Sequence, residues 1–300
     1  MTTTENDLKV VEDYDVYSRT LDFNLQEEGD TDANFRTEND PNDPDEQRQD
    51  VITRVDRVAA SCFCKDIIHG YFSTQDDDLC SLIVLYFRFE SREDGHRIKK
   101  VEVQVTFSPK TKGDPDPIVE EIYPDGYFTV QPKTQHEVVT ISGGVQVSEP
   151  TTGVGADLKR EKTVEKDTED MMKVQGSKEK EGRNWGKPNS VVWILRENGR
   201  DKTGVPTSMQ ACIRLKRKDM SRFQAHFTVK VTPTWLTSVL SCLKTDPKDH
   251  PVNFDPAQDP INHTEYDYDT DELGLPKLED LSGVTVTTIL WKAVKNKYQK

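Results

Sequence analysis

Strict alternation of apolar and polar residues constrains this chain more than any other feature. Residues 79–90 read LCSLIVLYFRFE, with Ile83, Leu85, Phe87 and Phe89 on one parity and Leu82, Val84 and Tyr86 on the other. A strand apolar on both parities is expected to be a central one, covered on both faces. Residues 97–107 read RIKKVEVQVTF, where Val101, Val103, Val105 and Phe107 alternate with Lys100, Glu102, Gln104 and Thr106. Period two fits a half-buried strand and not a helix, whose period is 3.6. The Asp94-Gly95 pair between the two runs is a favoured hairpin turn, so the sequence predicts that they pair as a hairpin.

The same alternation recurs along the chain. In VITRVDRVAASCFCKDIIHGYF, from Val51, residues Val58, Ala60, Cys62 and Cys64 share one parity. IVEEIYPDGYFTV reads as two short strands around Pro124-Asp125-Gly126, and in EVVTISGGVQVS residues Val139, Ile141, Val145 and Val147 keep period two, with Gly143-Gly144 marking a bulge or a close approach of another backbone. Residues 149–187 lose the pattern and read as a long charged loop, with one helical or strand-like stretch at 171–174. Strands resume with SVVWILRE, MQACIRLKRK and RFQAHFTVKV; Met209, Ala211, Ile213 and Leu215 are expected to face inward, as are Phe223, Ala225, Phe227, Val229 and Val231. About eight strands separated by turn signals predict a mainly-β fold, an antiparallel β-sandwich, over residues 51–243.

Charge sets the expected boundaries. Residues 1–50 hold 16 acids and 4 bases, a net of −12, and residues 246–280 hold 11 acids and 2 lysines, a net of −9. The whole chain carries −14, which leaves +7 for the remainder. The reading is an acidic, largely disordered arm (1–50), the sandwich, and an acidic C-terminal linker with a short basic element (244–300). Tyr14, Tyr17, Phe23 and Phe35 give the arm apolar points by which part of 10–25 could dock as an edge strand. The start lacks a cationic region followed by an apolar run, and the longest apolar run, LIVLYF, is too short to cross a bilayer. Five cysteines, an odd number at irregular spacing, do not form a disulfide framework, so a reducing, cytoplasmic location is expected. On that basis the sequon at Asn262, His263 and Thr264 reads as a chance match.

The stretch VVWILRENGRDKTGVPTSMQACIRLKRK, with SGGVQVSE upstream, resembles uncharacterised intracellular proteins of filamentous fungi. Trp193, Glu197-Asn198, Gly204, Pro206 and the basic strand after them carry the resemblance, which covers roughly the central third of the chain. It implies a fungal source and brings no activity.

Several groups of residues approach the pattern of a chemical site without completing it. Cys62, Cys64, His69 and Cys80 are four zinc-type donors close in sequence, but a CxC on a strand lacks the tight knuckle of CxxC, and buried apolar thiols are the favoured reading. Cys212 and His226 would share the outward face of adjacent strands, without a source for an orienting group or an oxyanion site. Asp267, Asp269 and Asp271 recur in EYDYDTDELG, yet Glu272 and Leu278 stand where the helix-loop-helix calcium loop needs Gly and Glu. No phosphate-loop or nucleophile-elbow motif occurs. No catalytic residue, cofactor or metal is therefore assigned.

The remaining signal is a basic hairpin. Alternation places Arg214, Lys216 and Lys218 outward on one strand, Arg222 and Lys230 on the next, and Arg217 at the turn. A cationic sheet face in an acidic protein predicts an anionic partner: another protein, an anionic membrane, or the chain's own acidic tails. Nucleic acid is disfavoured because interleaved aromatics are missing and the global charge opposes approach to phosphate; self-association stays open. The C-terminal GVTVTTILWKAVKNKYQK reads either as a helix with Trp291 at a membrane interface or as a strand over 284–290 completing the sandwich, the favoured alternative. The expected function is a non-enzymatic intracellular interaction protein. Two alternatives are a peripheral membrane module of the C2-like sort, assisted by calcium, and an enzyme with a site around His69 and Cys62 or around Cys212 and His226.

Overall fold

The computed structural model describes residues 37–55, 58–92, 97–130, 139–142, 158–160, 171–200, 202–234 and 249–286. Its strands are β1 (Asp50–Val55), β2 (Val58–Ser73), β3 (Asp76–Ser91), β4 (Ile98–Pro109), β5 (Ile118–Tyr123), β6 (Gly126–Val130), β7 (Val139–Ser142), β8 (Leu158–Arg160), β9 (Met172–Glu179), β10 (Ser190–Arg196), β11 (Ser208–Arg217), β12 (Phe223–Pro233), β13 (Val252–Phe254), β14 (Ile261–Asn262) and β15 (Gly283–Val286). No helix occurs among the described residues, and thus none long and apolar enough to cross a membrane.

Two antiparallel sheets pack as a sandwich. One runs β1-β2-β3-β11-β15-β7, with β14 extending the β2 edge and β5 sharing the β11 edge with β15; the other runs β13-β12-β4-β10-β9-β6-β8. The residues expected on the inner face of β4, Val101, Val103, Val105 and Phe107, are fully buried between the sheets with Leu85, Phe87, Trp193, Ile213 and Leu215. On β12, Phe223 and Ala225 are buried there, while Phe227, Val229 and Val231 are partly buried against the core. On β2, Ala60, Cys62 and Cys64 face the core as their parity predicts, until a register shift between Cys64 and Asp66 changes which residues point inward.

Both predicted hairpins are corrected. β3 pairs with β2 and β11 while β4 pairs with β10 and β12, so the link carrying Asp94-Gly95, which lies outside the described residues, joins the two sheets. β11 and β12 likewise belong to different sheets. An arch between facing sheets and a hairpin within one sheet bury the same inward parity, so alternation cannot tell them apart. Two further departures concern the predicted loop and the opening strand. Met172–Glu179 is a full strand paired on both sides by β10 and β6, and the opening run forms two strands, Asp50–Val55 and Val58–Ser73. At Gly176 an added Cβ would meet the Pro124 carbonyl oxygen at 2.0 Å and Trp193 Cδ1 at 3.0 Å. That tight approach lets the buried Trp193 Nε1–H donate to the same Pro124 carbonyl at 3.0 Å.

The second parity of β3 has its own cover. Ile68, Cys80, Leu82, Val84 and Cys212 form a second apolar cluster with Leu273, Leu278 and Leu281, on the outer side of the first sheet. The covering strap, residues 263–282, lies within the segment read as an acidic linker. It is fastened by backbone bonds: the Tyr71 amide donates to the Thr270 carbonyl (2.7 Å), and the Leu273 and Gly274 amides donate to those of Tyr71 and Phe72 (2.9 and 2.8 Å). β15 pairs with β11 and β7, so the strand reading of the C-terminal segment holds for residues 283–286; Trp291 and the terminal lysines lie outside the described residues. The expected edge docking of residues 10–25 lies outside them too.

Candidate functional site

The six predicted cations do not share one face. Because β11 and β12 lie in opposite sheets, alternation sends Arg214 and Lys216 to the outer side of one and Lys230 to the outer side of the other. Arg217, Lys218 and Arg222 stand at the arch that joins them.

Most of the six are engaged within the chain. Arg214 is 3% exposed; it donates to the Glu121 carboxylate and the Pro276 carbonyl and lies 5.8 Å from the Phe72 ring centroid. This places it beneath the strap as a fastening. Lys216 pairs with Asp78. Lys230 is 3.5 Å from Glu102, whose carboxyl is held below its usual range first by a hydrogen bond from Lys100, with Lys230 adding to it. Arg217 ends β11 on the inward parity and is buried, whereas Lys218 is exposed and makes no ion pair among the described residues.

Arg222 has the most informative surroundings. Its guanidinium reaches Asp255 at 2.7 Å and Asp45 at 3.5 Å. Asp45 comes from the segment read as an N-terminal arm, and Asp255 from the C-terminal acidic segment. Lys110 Nζ also donates to Asp45, at 2.5 Å; that hydrogen bond first, and the charges of Lys110 and Arg222 with it, hold the Asp45 carboxyl below its usual range. Lys110 donates besides to Asn253 Oδ1 (2.9 Å), and Asn253 Nδ2 donates to the Pro44 carbonyl (2.9 Å). The two acidic segments are thus stitched to each other and to the arch. Sequence reasoning anticipated cations meeting the chain's own acids, but not that 37–49 and 249–255 are structural parts of the domain.

Behind the arch lies a buried polar cluster. His69 Nδ1 is 2.7 Å from Ser81 Oγ, and His69 Nε2 is 3.5 Å from Gln47 Oε1, which also accepts the Asp255 amide at 3.0 Å. Because Gln47 Oε1 can only accept, the imidazole carries its proton on Nε2 and Nδ1 accepts from Ser81. Burial, then the nearby Arg217 charge, push the His69 pKa down to about 3, with Asp255 opposing. The Ser81 and His69 atoms have the spacing of a nucleophile and its base, but Ser81 is 0% exposed, so the geometry locks the core end and opens no path to a substrate.

The other candidates separate. Cys62 and Cys64 lie between the sheets, Cys80 lies in the outer cluster, and no group of metal-binding side chains converges among the described residues. Cys212 is buried, donating to the Leu281 carbonyl at 3.1 Å and accepting from Ser282 Oγ at 3.2 Å, while His226 is exposed on the opposite sheet. Asp269 serves turn geometry, its Oδ1 accepting the Asp271 amide at 3.0 Å. In the sequon, Asn262 Nδ2 donates to the Tyr266 carbonyl at 2.7 Å and the Thr264 hydroxyl donates to Asp66 at 2.5 Å. No family model matches this chain, and no curated protein matches it either.

Proposed function

We propose that this chain is a non-enzymatic cytoplasmic interaction protein whose basic arch is held under its own carboxylates and exchanges them for an anionic partner, in the first instance another protein. One observation carries this reading: Arg222 lies between Asp45 and Asp255, one carboxylate from each acidic segment. Asp45 is the exchangeable member, since its side chain is 51% exposed while that of Asp255 is 11% exposed. Exposed ion pairs contribute little net stability, so a multivalent competitor can displace one at low cost.

The test is binding of a fluorescent oligoglutamate peptide to the full chain at low and high salt, for the native sequence and for Asp45→Asn. The expected result is salt-sensitive binding that Asp45→Asn tightens by roughly two- to fivefold, the scale of one exposed pair. No binding by either protein at low salt would refute the proposal. Binding to anionic vesicles in place of the peptide would turn the reading toward a peripheral membrane module.

A further inference from the structure

Buried cations in folded proteins are almost always matched by an anion, because an unpaired charge out of water is costly. Arg217 departs from that rule. It is 5% exposed, and its hydrogen bonds go to the Asp219 carbonyl (3.0 Å), the Cys80 carbonyl (3.2 Å) and Met220 Sδ (3.8 Å), while Nε has no partner. No carboxylate makes an ion pair with it among the described residues. Asp219, two residues on, has its Oδ1 occupied by the Ser221 amide at 2.9 Å, and His69 nearby is neutral at physiological pH.

Arg217 also lines a shallow, solvent-open hollow in the crook of the β11–β12 arch, and Lys218, Ser221 and Arg222 line the same hollow. Three cations and a hydroxyl thus converge where one buried guanidinium lacks a counter-ion. Among the described residues that line it, Asp219 is the one acid and opposes an anion there. We infer that this hollow binds a phosphate group, with Arg217 supplying the buried charge and Lys218 and Arg222 closing on its oxygens. Phosphate fits better than carboxylate because a monoester carries about −1.5 to −2 charge and three acceptor oxygens, enough for three donors at once. The shallow shape suits a terminal phosphate and not a whole enclosed ligand. The inference rests on the proposed exchange only for the role of Asp45, which would leave Arg222 as phosphate arrives.

Calorimetric titration of the full chain with inorganic phosphate, at ionic strength held constant with chloride, tests it. Saturable binding is expected, weakened about tenfold by Lys218→Gln or Arg222→Gln, a loss on the scale of one charge-assisted contact. Asp219→Asn, which keeps the turn acceptor and removes the opposing charge, should tighten binding about threefold, by the scale of one surface charge. Cosedimentation with phosphatidylcholine vesicles containing a phosphatidylinositol phosphate, against vesicles of equal charge made with phosphatidylserine, separates the sources. Retention on the first alone, competed by inorganic phosphate, assigns the group to a lipid headgroup; phosphate binding without retention assigns it to a soluble ligand. Heats no larger than those of chloride, or affinity unchanged in Lys218→Gln and Asp219→Asn, would overturn the inference. If oligoglutamate binds Asp45→Asn while phosphate does not bind, the exchange stands and this site falls. If phosphate binds with an affinity indifferent to Asp45→Asn, the site stands and the exchange falls.

Discussion

His69 shows how a single residue ties stability to pH. Its imidazole is wedged against Phe223, with ring centroids 6.1 Å apart, and its two nitrogens are used by Ser81 and Gln47. Burial comes first and Arg217 second in lowering its pKa to about 3; an unfolded histidine titrates near about 6.5. Between those values the unfolded chain takes up a proton that the folded chain refuses. The stability this histidine contributes is therefore complete above the unfolded value and is lost as pH falls, by at most about 1.4 kcal/mol per pH unit. Urea unfolding from neutral pH to about pH 5 should show a decline of about 2 kcal/mol in the native sequence beyond that of His69→Gln. Equal slopes for the two proteins would mean that His69 is not the group responsible. A histidine in a mixed polar and apolar run gives no sign in the sequence of being held neutral, because Gln47 and Arg217 come to it from distant parts of the chain.

At the scale of elements, alternation made the strands and the doubly covered β3 legible, whereas the connections were not. The same three valines and phenylalanine of β4 would face inward from a hairpin or an arch, so the cations of β11 and β12 were legible as charges but not as neighbours of one another. The strap was illegible for a different reason: its apolar contacts are three leucines set among acids, with no period. Besides its backbone bonds, the strap is fastened by Asp66, at 0% exposure beside the β2 bulge. Its Oδ1 accepts the His263 and Thr264 amides at 2.8 and 3.0 Å, and its Oδ2 accepts the hydroxyls of Thr264 and Tyr268 at 2.5 and 2.6 Å. Burial, then this hydrogen bond to Asp66, push the Tyr268 pKa well above its ordinary value, so the phenol remains a donor. Asp66→Ala removes all four of these hydrogen bonds and should cost about 3 kcal/mol. Cys80 and Cys212 lie beneath the strap, their pKa values pushed up to about 12 chiefly by burial. Alkylation at neutral pH followed by peptide mapping should find them protected in the native chain and labelled first in Asp66→Ala. Cys62 and Cys64, between the sheets, should stay protected in both. Simultaneous labelling of all four would show that the strap is no separate element.

On the scale of the whole molecule, the acid-rich stretches 37–49 and 249–255 make ordered contacts, and the reason is physical. An acid-rich segment forgoes a core of its own only if its backbone and side chains find no partners, and here they find each other. The Thr37 amide donates to Asp249 Oδ1 at 2.8 Å, the His250 amide donates to the Thr37 carbonyl at 3.0 Å, and Arg48 donates to the His250 carbonyl at 2.5 Å. Gln47 then closes the core end by accepting from Asp255 beside His69. Residues 37–49 and 249–255 thus act as one brace across the end of the second sheet, where β13 pairs with β12. A chain beginning at Thr37 keeps that brace and one beginning at Asp50 loses half of it, uncovering His69 and leaving the Asp255 amide without its acceptor. The shorter chain should be less stable by about 3–5 kcal/mol, the sum expected for several lost buried hydrogen bonds. Urea unfolding followed by fluorescence of the fully buried Trp193 is the direct measurement. Because the same deletion removes Asp45, Arg222 would gain an open side at once, so the shorter chain should also bind oligoglutamate more tightly while it remains folded. Coincident unfolding midpoints for the two chains would return residues 37–49 to the status of an appended arm, and with them the carboxylate clasp over the arch.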